Sequence, residues 1–199
     1  MALFYKGAGP GTYWNVHDAT VVGFTAHSPA LSTSPSRVVR HITGGSTHSP
    51  YTSLTSSYAV AWDYAVYAGS LTVVATKANP GYVYVIDLPD PPPPGLVLLD
   101  PVVEVSVRLP PPGGLVSYQH DGSPQFLIGV VSPRRHRRYL TSPCVKAPPA
   151  APGPPSTPSP ILEAMVSALR DAEILAMGSI PAVGGIPGGP RHVTRHPVP

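Results

Sequence analysis

The stretch Tyr51-Thr52-Ser53-Leu54-Thr55 interleaves an aromatic and an aliphatic side chain with small hydroxyls. That is how a half-buried strand reads when its polar side meets a ligand. Ser56 or Ser57 then caps a helix, in which Ala59, Ala61 and Ala65 permit close packing against a sheet. A strand that delivers hydroxyls to a helix N-terminus suits an anion or a nucleotide. His41 and His48 precede this stretch and read most simply as a helix-surface and a loop histidine, with contact to a nucleotide as the alternative. Arg134-Arg-His-Arg-Arg138 reads as a solvated charge run at a domain edge, the alternative being a patch that steers nucleic acid or a phosphoprotein.

These residues sit in a chain of 199 residues with a formal charge of +3 and only 12% charged side chains. Such a chain is not a polyelectrolyte bound to seek nucleic acid as a whole. The single Cys144 excludes an internal disulfide and lies beside a Pro-rich tract. Pro and Gly together make up about a quarter of the chain, roughly twice the usual share, so part of it is expected to stay unpacked. No run offers the roughly 18 uncharged apolar residues of a membrane helix. Met1-Ala-Leu-Phe-Tyr-Lys6 also lacks the charged start and apolar run of a secretory signal. A cytoplasmic protein is the expectation, with a signal-independent export route left open and no membrane partner.

The elements that must position the hydroxyl stretch are legible in outline. Ala2–Lys6 reads as a brief opening strand before the turn Gly7-Ala-Gly-Pro-Gly11, with Tyr5 and Lys6 on opposite faces. Ser34-Pro35 starts a helix with Val38, Val39 and Ile42 on its buried side, and Gly44-Gly45 stops it. Leu71–Thr76 and Tyr82–Leu88 read as a hairpin. Leu96–Leu99, Val102–Leu109 and Gln125–Val131 read as further strands, the last central in a sheet. Residues 141–160 are dominated by Pro, Ala and Ser and read as a disordered linker. Residues 161–178 read as an isolated amphipathic helix available for docking or self-association, and 179–199 as a disordered tail.

Tyr5-Lys6 on an opening strand, Tyr51-Thr-Ser-Leu-Thr55 entering an Ala-rich helix, and Gln125-Phe-Leu-Ile128 on a late strand resemble the ADP-ribosyltransferase superfamily. The similarity is to its cholera-toxin-like branch, with Tyr-Arg, aromatic-x-Ser-Thr-Ser, and Glu-x-Glu before an apolar strand. The resemblance covers about residues 2–132 and implies an α+β split β-sandwich with N-terminal helices over residues 1–140. NAD would lie as substrate in its cleft. Tyr5, Lys6, Tyr51, Ser53 and Thr55 are then the expected NAD-binding residues, Lys6 standing where the family has arginine. Tyr51 or Tyr58 is the expected partner for nicotinamide. Gln125 occupies the place of the catalytic glutamate, Ser123 that of its companion, and Asp121 is the nearest carboxylate.

The resemblance implies a glycosyltransferase that releases nicotinamide and passes ADP-ribose to an acceptor: a protein, a nucleic acid or a small molecule. Gln125 and Lys6 favour the alternative of an inactive NAD-binding or protein-interaction module on the same fold. A β-rich adaptor without a nucleotide is the third reading.

Overall fold

The computed structural model describes residues 2–67, 73–106, 119–120, 123–124, 160–183 and 192–198. Strand β1 (Ala2–Ala8) is followed by two single-turn helices, α1 (Tyr13–Val16) and α2 (Ala19–Val22), and the short β2 (Phe24–Thr25). Helix α3 (Pro35–Gly44) begins as its sequence dictates: the Ser34 side chain accepts from Arg37 N–H, and proline stands in the first turn. It ends where Gly45 adopts φ 86°. Strand β3 (Tyr51–Thr55) leads through Ser57, which accepts from Val60 N–H, into helix α4 (Tyr58–Tyr67).

Next come β4 (Gly81–Leu88), β5 (Val97–Leu99) and α5 (Pro101–Ser106). The short β6 (Gln119–His120) and β7 (Ser123–Pro124) pair with each other. Helix α6 (Pro160–Asp171) runs into β8 (Glu173–Met177), then β9 (Ser179–Ile180) and β10 (Val193–Val198). The fold is thus mixed helix and strand around a six-stranded antiparallel sheet, in the order β10-β4-β1-β3-β8-β5. No helix among the described residues is long and apolar enough to cross a membrane.

Two three-stranded halves make up this sheet. β1 pairs with β4 along its whole length, and β3 with β8 likewise, but β1 and β3 meet at one pair only, Tyr5 opposite Thr55. One face packs Leu54, Tyr84, Ile86, Leu88 and Ala176 with Phe24. On the other, Tyr51 and Leu175 meet Val38, Val105 and Ala164 from α3, α5 and α6. A third cluster seats α4 through Ala61, Ala65 and Val66 against Val83. The closeness of that contact depends on Gly7, where a Cβ would lie 2.0 Å from the Ala61 carbonyl oxygen and 2.7 Å from Tyr64 Cβ. Gly7→Ala is therefore expected to destabilise the fold by about 2–3 kcal/mol, read as a lower denaturant midpoint.

Several expectations are corrected. Val102–Leu109 was expected as a strand, but residues 101–106 are helical, because the Asp100 side chain accepts from Val102 N–H at 2.8 Å and Pro101 opens the turn. Tyr82–Leu88 lies between β1 and β10 instead of pairing with the segment before it. The helix expected to be isolated over 161–178 ends at Asp171, packs on α3 and α5, and gives way to β8 between β3 and β5. Residues of the expected tail form β10 on the edge of the sheet, the position where Pro197 is tolerated. Arg195 on β10 pairs with Asp18 at 3.1 Å, donates to the Asn15 carbonyl at 2.9 Å and covers the Tyr82 ring at 3.4 Å. Of the linker expected over 141–160, Pro160 instead opens α6 and residues 141–159 lie outside the described residues, as do the strand expected at Gln125–Val131, Cys144 and the Arg134–Arg138 cluster.

Candidate functional site

Where the ladder between β1 and β3 stops, a cleft of about 260 Å³ opens, with Lys6, His41, Ser53, Arg170, Asp171 and Glu173 in its wall. It continues into a second compartment of about 300 Å³ that shares Lys6, Gly7, Ser53 and Tyr64. Rings gather on the far side of that compartment: Tyr13 meets Trp14 edge-on at 4.8 Å and His27 at 5.3 Å.

The register of β3 and β8 sets Thr55 opposite Glu173 and Ser53 opposite Leu175 on one face of the sheet. Glu173 thereby begins its strand beside the hydroxyls of β3, where the Ser53 hydroxyl favours the ionised form of its carboxylate. His41 reaches the same hydroxyl from α3, with Nε2 2.7 Å from Ser53 Oγ and 3.8 Å from Glu173 Oε1. From β1, Lys6 Nζ donates to the Ser53 carbonyl oxygen at 2.9 Å.

Burial governs the charge states here, because a low-dielectric wall penalises every ion. It pushes Glu173 up to about 7; the Ser53 hydrogen bond and the charges of Lys6 and Arg170 oppose this, and the charge of Asp171 adds to it. Lys6 is drawn down to about 8 by burial, and Glu173 partly offsets that. Burial, with the charge of Lys6 second, holds His41 at about 4. His41 is therefore neutral where Glu173 titrates, and their 3.8 Å contact is a dipolar one instead of an ion pair.

A second network borders the first. Asp171 takes a two-pronged contact from the Arg170 guanidinium and a hydrogen bond from the Tyr64 hydroxyl at 2.9 Å. Both Arg170 and Asp171 are buried. Burial tends to lower Arg170, but its hydrogen bonds to Asp171 and that residue's charge more than offset this, so the guanidinium stays ionised. Burial, then the charge of Asp171, lifts Tyr64 far above the ordinary tyrosine range and leaves it a neutral donor. Ala172, between the two carboxylates, has φ 45°, which turns the chain from helix into strand and aims Glu173 into the cleft while Asp171 stays tied to α6.

Of the residues singled out in the sequence, Tyr5, Lys6, Ser53 and Thr55 all line this cleft. Thr55 donates its hydroxyl to the Asp171 carbonyl and accepts from Ser57 N–H, so it ties the end of β3 to the start of β8. Tyr51 is 1% exposed and packs with Val38, Val105 and Leu175, while it also borders the second compartment. Tyr58 is 47% exposed and meets Tyr5 edge-on at 5.5 Å. Gln125 and Asp121 lie outside the described residues. His41, expected on a helix surface, is 4% exposed at the centre of the site.

Glu173 is not among the site residues expected from the sequence. Its signal was present as Asp171-Ala-Glu173 directly before the apolar Ile174-Leu-Ala-Met177, an acidic-x-acidic motif leading into a strand. The strong helix formers through this stretch extended the α6 pattern over it.

Ser53, His41 and Glu173 superficially suggest a nucleophilic hydroxyl with a base and an orienting acid. The geometry excludes that arrangement. Glu173 faces Nε2, the nitrogen that also meets Ser53, whereas the far nitrogen Nδ1 meets Ser49 Oγ at 2.7 Å. An imidazole held near 4 is also a poor base at neutral pH. What the site does offer is a buried, orientable carboxylate beside one ammonium and several hydroxyls. That is a setting for stabilising developing positive charge. No family model matches this chain, and no curated protein matches it either.

Proposed function

We propose that the cleft binds NAD and that the protein is an ADP-ribosyltransferase of the cholera-toxin-like type, with Glu173 as its catalytic carboxylate. The observation that carries this reading is the convergence of Lys6 from β1, Ser53 from β3 and Glu173 from an acidic-x-acidic turn before β8. These are the three places where that superfamily keeps its cation, its hydroxyls and its glutamate. The sheet made of two halves joined at Tyr5 and Thr55 supports the split β-sandwich.

In the reaction the bond between nicotinamide and ribose C1′ breaks, and its electron pair leaves with neutral nicotinamide. The ribose then carries oxocarbenium character, which the ionised Glu173 beside its hydroxyls stabilises. An acceptor nucleophile bonds to C1′ and gives up a proton. Lys6 supplies positive charge for the phosphates as a point charge, without the planar fork of arginine. Lys6 is also what favours the second reading, an NAD-binding module without turnover.

Purified full-length chain incubated with radiolabelled or etheno-NAD should release nicotinamide. Binding in titration calorimetry with no nicotinamide formed would establish the second reading, and neither binding nor turnover would leave both without support. The pH dependence is specific to this cleft. Glu173 must be ionised, which requires pH above about 7, and Lys6 charged, which requires pH below about 8. A plot of kcat/KM against pH should therefore be a narrow bell with limbs near those two values. Lys6→Arg should retain the acid limb and lose the alkaline one.

A further inference from the structure

We propose that Ser49, which lies outside the cleft wall, is a positioning residue that fixes the tautomer of His41 and through it holds Ser53 as a donor to Glu173. This rests on the reading of Glu173 as the reacting carboxylate. Ser49 is 3% exposed, and its Oγ already accepts the Tyr51 N–H at 3.1 Å. Its own buried O–H needs an acceptor, and among the described residues the atom within reach is His41 Nδ1 at 2.7 Å. A neutral imidazole that accepts at Nδ1 carries its proton on Nε2.

Nε2–H then donates to Ser53 Oγ at 2.7 Å, which leaves the Ser53 hydroxyl proton free for the Glu173 carboxylate, whose Oε1 lies 3.8 Å from the same Nε2. Every bond in the chain Ser49, His41, Ser53, Glu173 runs in one direction. Were the tautomer reversed, Nε2 would compete with Glu173 for the single Ser53 proton. The carboxylate would lose the hydrogen bond that favours its ionised form. Ser49 thus acts on the site from behind α3 without touching its contents.

The test uses the full chain labelled with 15N-histidine and long-range proton–nitrogen correlation between pH 6 and 8. His41 should show an unprotonated Nδ1 and a protonated Nε2, a result that needs no variant and no substrate. An Nδ1-protonated His41 in the wild-type protein overturns the proposal whether or not NAD is turned over. In Ser49→Ala the fixed tautomer should be lost, and kcat for NAD cleavage should fall about tenfold with KM nearly unchanged. Ser49→Thr, which keeps the hydroxyl, should restore both signals. A Ser49→Ala protein that folds and retains both wild-type kcat and the Nε2-protonated signal overturns the proposal. If the wild-type protein shows the expected tautomer but releases no nicotinamide, it is the transferase reading that fails, while the hydrogen-bond direction stands.

Discussion

Glu173→Gln is expected to lower NAD cleavage by at least about a thousandfold, while NAD affinity changes by less than about threefold. Glutamine keeps the shape and accepts the Ser53 hydroxyl, so the walls of the cleft survive; the negative charge opposite the developing oxocarbenium does not. Removing an interaction made mainly in the transition state depresses kcat and spares binding. The same substitution should raise stability at alkaline pH. The folded carboxyl titrates at about 7 against an ordinary 4.5, so between those values the folded state holds a proton that the unfolded chain has released. Stability contributed by this group is full below about 4.5 and declines as pH rises through 7, by on the order of 3 kcal/mol. Glu173→Gln should abolish that decline, seen as a flatter curve of denaturant midpoint against pH. Loss of activity together with an unchanged pH dependence of stability would mean that Glu173 is not the buried acid of this site.

Asp171→Ala is expected to destabilise the protein by about 3–5 kcal/mol, because it strands the buried Arg170 guanidinium. Arg170 is 6% exposed, and among the described residues its remaining side-chain hydrogen bond would be to the Tyr64 hydroxyl at 3.5 Å. An ion taken out of water and then deprived of its counter-charge keeps the whole desolvation penalty. The double variant Arg170→Met, Asp171→Leu should recover most of this loss, since it removes the ion along with its partner. Chemical denaturation of the three proteins measures both statements. A single variant that loses less than about 1 kcal/mol, the value of an exposed pair, would show that water reaches Arg170. Because Ala172 alone separates Asp171 from Glu173, the single variant should also lose activity through displacement of the turn, and the recovery of activity in the double variant would lag behind the recovery of stability.

The parts of this protein whose causes are local are legible in its residues. The Ser34 cap with Pro35, the stop at Gly44-Gly45 and the strand over residues 51–55 each depend on neighbours within a few positions, and each stands in the structure, although the strand is buried on both faces and not on one. Ser53 and Thr55 stand out as the polar positions of a strand pattern, whereas Lys6 is marked only by the resemblance of Tyr5-Lys6 to a first-strand motif. Which carboxylate joins them depends on long-range strand pairing. Residues 161–177 carry helix formers throughout, and local propensity favours one uninterrupted helix there. Pairing with β3 on one side and β5 on the other satisfies the backbone of 173–177 and buries Leu175 and Ala176, which outweighs propensities of a few tenths of a kcal/mol per residue. His41 was likewise undecidable from its own helix. A histidine's role depends on what its two nitrogens meet, and those partners, Ser49 and Ser53, lie on and just before a strand that only the fold brings alongside α3.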